Sequence, residues 1–162
     1  MFIGMEVVGV RVEMPSNQPI VLLKEIDGSR FLPIWIGANE ATAIAFAQQG
    51  LIPPRPLTHD LMREIVEAVD ATLTAVHITE VKSGVFYALL LIRESSGTLL
   101  NISARPSDAI ALALRTHSNI LASAELLDEA GIEFPVENGG DNQEVERFRA
   151  FLDEISPEDF AG

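Results

Sequence analysis

Two stretches of the chain, "FLPIWIGANEATAIAFA" from Phe31 and "TLLNISARPSDAIALAL" from Thr98, share one plan. Each is a strand-like apolar run, a short polar turn and an alanine-rich helix, with Asn39-Glu40-Ala41 in the first matching Ser107-Asp108-Ala109 in the second. The switch from a period of two to a period near 3.6 marks the passage from strand to helix. Alanine at every second or third position lets a helix approach its neighbours closely, so both helices are expected to be buried on or near a sheet.

The remaining segments fit that frame. "MEVVGVRVEM" alternates, with Val8, Val10 and Val12 on one side and Gly9, Arg11 and Glu13 on the other, which predicts a strand buried on the valine face. "IVLLKEIDGSRFLPIWI" reads as a hairpin turning at Asp27-Gly28, a pair suited to positive φ, and Pro33 places its second strand at an edge or a bulge. A helix over 39–49 should end at Gly50. Pro53, Pro54 and Pro56 around Arg55 dictate a stiff extended loop. Thr58 is expected to cap the helix that follows, with Leu61, Ile65 and Ala68 or Val69 on its apolar face.

"TLTAVHITEV", "VFYALLLIRE" and "TLLNIS" then form an antiparallel meander turning at Lys82-Ser83-Gly84 and at 95–97. After the helix at 106–116 come a short strand at 119–122 and a helix capped by Ser123 and stopped by Gly131. The whole reads as an α+β domain over 1–135, mainly antiparallel with hairpins and packed alanine-rich helices. A linker at 136–143 and an acidic helical tail at 144–162 follow, the tail carrying Val145, Phe148, Phe151, Leu152 and Ile155 on one stripe.

Composition narrows the function classes. With no cysteine, thiolate catalysis, disulfides and Cys-based zinc or iron-sulfur sites are out, and a metal would need carboxylates with His59, His77 or His117. No apolar run approaches 18 residues and the amino terminus has no signal-peptide pattern, so a soluble cytoplasmic protein without a membrane partner is expected. A net charge of −13 works against broad attraction to a phosphate backbone. The charge is uneven: residues 30–115 hold seven basic and eight acidic side chains. There Arg30, Arg55, Arg63, Arg93, Arg105 and Arg115 could form a local positive site if the fold gathers them, or be scattered and solvated.

Two segments carry groups beyond what a helix start requires. In "ARPSDAIALALRTH", Pro106 suits the first helical position, and Asp108 in the first turn gains about 0.3–1 kcal/mol from the helix dipole. Arg105 is a cation at the positive end of a helix, so it must either bridge to a carboxylate inside the protein or, with Ser107 and the free backbone donors, bind an anion such as phosphate. In "RPLTHDL", His59 can exchange a proton near neutral pH beside Arg55 and Asp60. His77 in a strand and His117 at a helix end read as structural. No Walker loop, GxGxxG, HExxH or GxSxG pattern is present, and no organic cofactor is expected. Metal-assisted phosphodiester cleavage would need carboxylates holding Mg2+ or Mn2+, and Glu40, Asp60 and Asp108, all at predicted helix starts, are the candidates.

The succession "LPIWIGANEATAIAFAQQG", "RPLTHDLM", "GVFYALLLI", "ARPSDAIALALR", "ILASAELLDEAG" resembles the bifunctional nuclease family of small bacterial proteins and plant homologues, over about residues 5–134. The tail "FRAFLDEISPEDF" is also similar to the family's carboxy-terminal segment. The resemblance implies a compact α+β domain, self-association as a dimer or higher homo-oligomer, and nuclease activity on both DNA and RNA. Its matched positions are Glu40; Arg55, His59 and Asp60; and Arg105, Ser107 and Asp108. On the nuclease reading Arg55, Arg105 and Ser107 bind phosphate, and His59, Asp60 and Asp108 are catalytic. Glu40, Asp60 and Asp108 then hold the divalent ion. The alternative reading is a noncatalytic homo-oligomeric domain that binds an anion or regulates a partner.

Overall fold

The computed structural model describes residues 1–134 apart from Met14. The expected linker at 136–143 and tail at 144–162 lie outside the described residues. In chain order the elements are β1 (Phe2–Glu13), β2 (Gln18–Glu25), β3 (Arg30–Trp35), α1 (Ala38–Gln48), α2 (Thr58–Ala68), β4 (Thr72–Lys82), β5 (Val85–Arg93), β6 (Leu99–Ala104), α3 (Pro106–Thr116), β7 (Asn119–Ser123), α4 (Ala124–Ala130) and β8 (Ile132–Glu133).

The strands form one sheet ordered β6-β5-β4-β7-β1-β2-β3-β8. Neighbours run antiparallel except β4 and β7, which pair in parallel, so the fold is α+β and mainly antiparallel as expected. The meander β4-β5-β6 and the hairpin pair β1-β2-β3 are local. Short β7 joins them, inserted between β4 and β1, and this places α3 over the middle of the sheet.

Helix α3 is the hub. It packs on β4, β5 and β7, with α1 on one side and α2 on the other. Ala109, Ile110, Ala111, Leu112 and Ala113 are all buried. Small side chains on successive turns let the neighbouring elements approach from several directions. Helix α1, its counterpart in the sequence, is less buried: Ala41 and Ile44 are buried, and Ala43 packs against the core partly exposed. The two look-alike units therefore differ in depth because α3 packs against two helices as well as the sheet, while α1 packs against one.

Several local expectations need correction. A bulge between Val7 and Gly9 shifts the β1 register, so Ile3, Met5 and Val7 before it and Val10 after it pack on the core while Val8 is exposed; Val12 is exposed as well, near the end of the strand. One inserted residue is enough to reverse a period-two pattern. The β2–β3 turn uses no positive φ at Asp27 or Gly28. Gly28 is there because a Cβ would meet the Glu25 carboxylate, which accepts hydrogen bonds from the Arg30 backbone and guanidinium. The positive-φ pair falls instead at Ser83 and Gly84, between β4 and β5. Pro33 is tolerated as expected, because β8 pairs only with Arg30 and Phe31 and leaves that side of β3 open further along.

Thr58 is the first residue of α2 rather than its cap, which is Leu57. The α2 face is also reversed. Leu61, Ile65 and Val69 are exposed, whereas His59 and Asp60 are buried and Met62 packs on the core. Helix α4 begins with Ser123 Oγ accepting from the Leu126 N–H at 3.1 Å, as expected of its cap.

Candidate functional site

The site is built where the first turns of α2 and α3 and the start of α1 meet. Arg105 holds the extended cap position of α3, and Pro106 opens the helix. The three-residue step to Asp108 brings that side chain back toward Arg105, whose Nε donates to Asp108 Oδ2 at 2.8 Å. Its Nη2 also donates to Glu40 Oε1 of α1 at 2.9 Å, closing a contact across 65 residues of sequence. Gly37, just before α1, leaves the space that the Glu40 carboxylate occupies.

The other oxygen of Asp108, Oδ1, lies 2.8 Å from His59 Nε2. Asp108 thus spans an arginine and a histidine. Burial by itself would raise its carboxyl pKa, but the Arg105 and His59 hydrogen bonds outweigh that and hold it below the ordinary value. Asp108 and then Glu40 hold the Arg105 guanidinium more firmly protonated than usual. The His59 ring is almost wholly buried, and among the described residues none bonds its Nδ1.

One residue along α2, about 100° round the helix, Asp60 points elsewhere. Its Oδ1 accepts from Arg115 Nε at 2.8 Å, and its Oδ2 accepts from the Leu57 N–H at 3.0 Å. Burial pushes the Asp60 carboxyl up, and Arg115 and the Leu57 amide overcome that to leave it below the ordinary value. Arg115 donates further to the carbonyls of Ala111 at 2.9 Å and Ala43 at 3.0 Å, so one guanidinium ties α1, α2 and α3 together. In the sequence Arg115 is one of six arginines that could either form a local positive site or be scattered and solvated, and it does neither. Its signal was present as a basic residue in the last turn of a buried alanine-rich helix, where a long side chain has only neighbouring helices to reach.

The structure therefore divides the residues singled out by sequence. Glu40, His59, Arg105 and Asp108 come together in one continuous network. Arg55 and Asp60 open instead onto a cavity of 370 Å³, which Arg63, Glu64, Arg115 and His117 also line below the proline loop. Arg55 is exposed, while Arg63 pairs with Glu67 at 3.9 Å. Ser107 is buried in the first turn of α3. Of the other arginines, Arg30 is committed to Glu25 and to Asp128 of α4, and Arg93 stands exposed on β5. His77, on β4, stacks on Phe2 with ring centroids 4.0 Å apart, and burial lowers its pKa.

A divalent ion does not fit the carboxylates as they stand. Among the described residues no three His, Asp or Glu side chains are grouped so that they could hold a metal ion. The Arg105 guanidinium occupies the position between Glu40 and Asp108 where a cation would sit, and Asp60 is turned away to Arg115. Arg105 has the internal carboxylate bridge that was one of its two expected roles.

Comparison with known proteins adds the relatives. The chain is 47% identical over 160 residues to an uncharacterised protein of Mycobacterium tuberculosis found in two strains, covering 95% of each. It is 25% identical over 127 residues to the rice protein bifunctional nuclease 1, from Oryza sativa subspecies japonica and indica, and this covers 76% of the chain but 38% of the rice protein. No described helix is long and apolar enough to cross a membrane. A family model described as the bifunctional nuclease domain matches residues 21–135, from β2 through the whole site, and the chain belongs to that family.

Proposed function

We propose that this protein hydrolyses phosphodiester bonds of DNA and RNA, working in the cytoplasm as a homo-oligomer, with His59 as its acid–base group. The observation that carries this reading is the Glu40–Arg105–Asp108–His59 network, which holds an imidazole in fixed orientation beside an exposed guanidinium. Asp108 on Nε2 leaves His59 Nδ1 to exchange the proton: it takes one from the attacking water as the new P–O bond forms, or gives one to the oxygen that leaves. Arg55, exposed beside the cavity, and Arg105 are the groups on this reading that meet the phosphate. No step is assigned to a metal, since Arg105 sits between the carboxylates that would hold one.

The test is cleavage of labelled single-stranded DNA and RNA by purified wild type and His59→Ala, each with magnesium, with manganese and with chelator. General acid–base catalysis is worth about a hundred to ten thousandfold, so the variant should lose that much while its binding of uncut strand persists. Equal cutting by the two proteins would remove His59 from the mechanism. Cutting that disappears with chelator would require Arg105 to give way to an ion.

A second reading has its own support. Arg105 is already neutralised by two carboxylates, and the chain carries −13 overall, which weakens its hold on a phosphate backbone and suits a noncatalytic domain that regulates a partner. Retention of a nucleotide or phosphate ester without turnover by the wild type would favour it.

A further inference from the structure

We infer that the cavity beneath the proline loop is a second binding site, apart from the His59 network, and that it takes a small phosphate monoester with an apolar or planar body. The nuclease reading uses only Arg55 among the residues that line this cavity, and it leaves the cavity itself without an occupant.

The cavity is bounded by residues 50–56, helix α2 and the end of α3, and none of Glu40, His59, Arg105 and Asp108 lines it. Its 370 Å³ falls within the roughly 300–1,000 Å³ of small-molecule sites. Three nitrogen-bearing side chains reach it from three places in the fold: Arg55 from the loop, Arg63 from α2 and His117 from the end of α3. In a chain of −13 this is a local excess of bases. Asp60 and Glu64 are the carboxylates on the lining, and Asp60 already accepts from Arg115 and from the Leu57 amide.

These bases have donors to spare. Arg63 Nε is buried and donates to nothing among the described residues, since Glu67 Oε1, 3.9 Å away, is beyond hydrogen-bond reach. Asp60 attracts Arg63 through space, but both its oxygens are taken. A buried donor left unmet is costly, which makes it a pointer to an acceptor that binds there. The Arg55 and His117 side chains likewise make no hydrogen bond or ion pair among the described residues. His117 also stands in the left-handed region at φ 54, at the end of α3 where glycine is the usual residue. Histidine enters that region more readily than most residues, and here it sets an imidazole on the cavity wall.

The donors specify the ligand. A phosphate monoester presents three terminal oxygens, enough to accept from two guanidiniums and an imidazole together, whereas a carboxylate offers two. Leu51, Ile52, Pro53 and Leu114 line the cavity beside them and would take the body of the ester out of water.

The experiment titrates the full chain by isothermal calorimetry, without metal, with AMP as a phosphate monoester on a planar body, and in parallel with inorganic phosphate and with adenosine. Wild type should bind AMP, inorganic phosphate about tenfold more weakly or worse, and adenosine not measurably. Arg63→Gln removes the charge and the unmet donor, and His117→Gly removes the imidazole while suiting the left-handed backbone. Each should weaken AMP binding about tenfold, the worth of one charged hydrogen bond, with a melting curve near wild type. Wild type that binds neither AMP nor phosphate overturns the site, and so does AMP binding that both variants leave intact. Equal affinity for AMP and inorganic phosphate overturns the apolar-bodied ester as its ligand. Binding as expected in a protein that cuts neither DNA nor RNA supports this site and overturns the nuclease reading alone.

Discussion

The two ends of α3 each carry an arginine paired with a first-turn aspartate, yet the pairs differ in their surroundings. At the carboxy-terminal end the Arg115 side chain is 6% exposed and bonds Asp60 and the carbonyls of Ala111 and Ala43. At the amino-terminal end the Arg105 side chain is 65% exposed and spans two carboxylates, one of which holds His59. The first pair is a lock between three helices. The second is an electrostatic frame with an open side. Burial decides which role an ion pair takes: desolvation makes a missing partner costly in the interior, and solvent screens the same loss at the surface.

That contrast can be broken most forcefully at the buried end. Arg115→Met leaves Asp60 buried without its cation, and loss of one partner of a buried pair costs about 3–5 kcal/mol. Urea unfolding should show a drop of that size at neutral pH. A loss near zero would mean that water reaches Asp60 and that the lock is not one.

Acid should sharpen the same point with a smaller effect. The folded Asp60 and Asp108 carboxyls lie below their ordinary values, so their contribution is complete above about pH 4, near the unfolded aspartate value, and is lost as pH falls through the folded values. In Arg115→Met the Leu57 amide and Arg63 still oppose burial at Asp60, but its strongest lowering partner is gone, so the carboxyl lies higher than in wild type. The variant therefore loses less stability than wild type as Asp60 protonates. The stability gap between the two proteins should narrow from pH 7 to pH 3, and a constant gap would show that Asp60 is not the group through which Arg115 acts.

The smallest effect is expected at the exposed end. Arg105→Ala removes a screened, solvent-facing bridge and should cost under about 1 kcal/mol of stability. Urea unfolding at low and at high salt checks it. A loss comparable to that of Arg115→Met would put both ends of α3 in one class and dissolve the comparison.

How far these arrangements could be read from sequence depended on how local their causes are. The α3 start was legible because proline, serine and aspartate act within one turn, and the meander because each strand pairs with the next. The cap at Ser123 and the break at Pro53–Pro56 were legible for the same reason. The β1 face was not, since a single bulged residue reverses an alternating pattern without changing its composition. The α2 face was misread because Leu61, Ile65 and Val69 form the regular stripe, while the buried side is anchored by ion pairs from His59 and Asp60 to residues about 50 positions away.

Sequence by itself determined the family, the α+β class, the residues Glu40, His59, Asp60, Arg105 and Asp108 as worth attention, and the absence of any thiol chemistry. Tertiary structure alone decided that His59 and Asp60, adjacent in the chain, serve different arginines, and that Arg105 answers to carboxylates from two helices. It also decided that Arg115 ties the layer together and that β6 is left at the edge. The reason is physical. Helix starts, turns and strand periods arise from neighbours within a few residues, whereas the partner of a charged side chain is set by β7 entering between β4 and β1 and by the packing of α1 and α2 around α3.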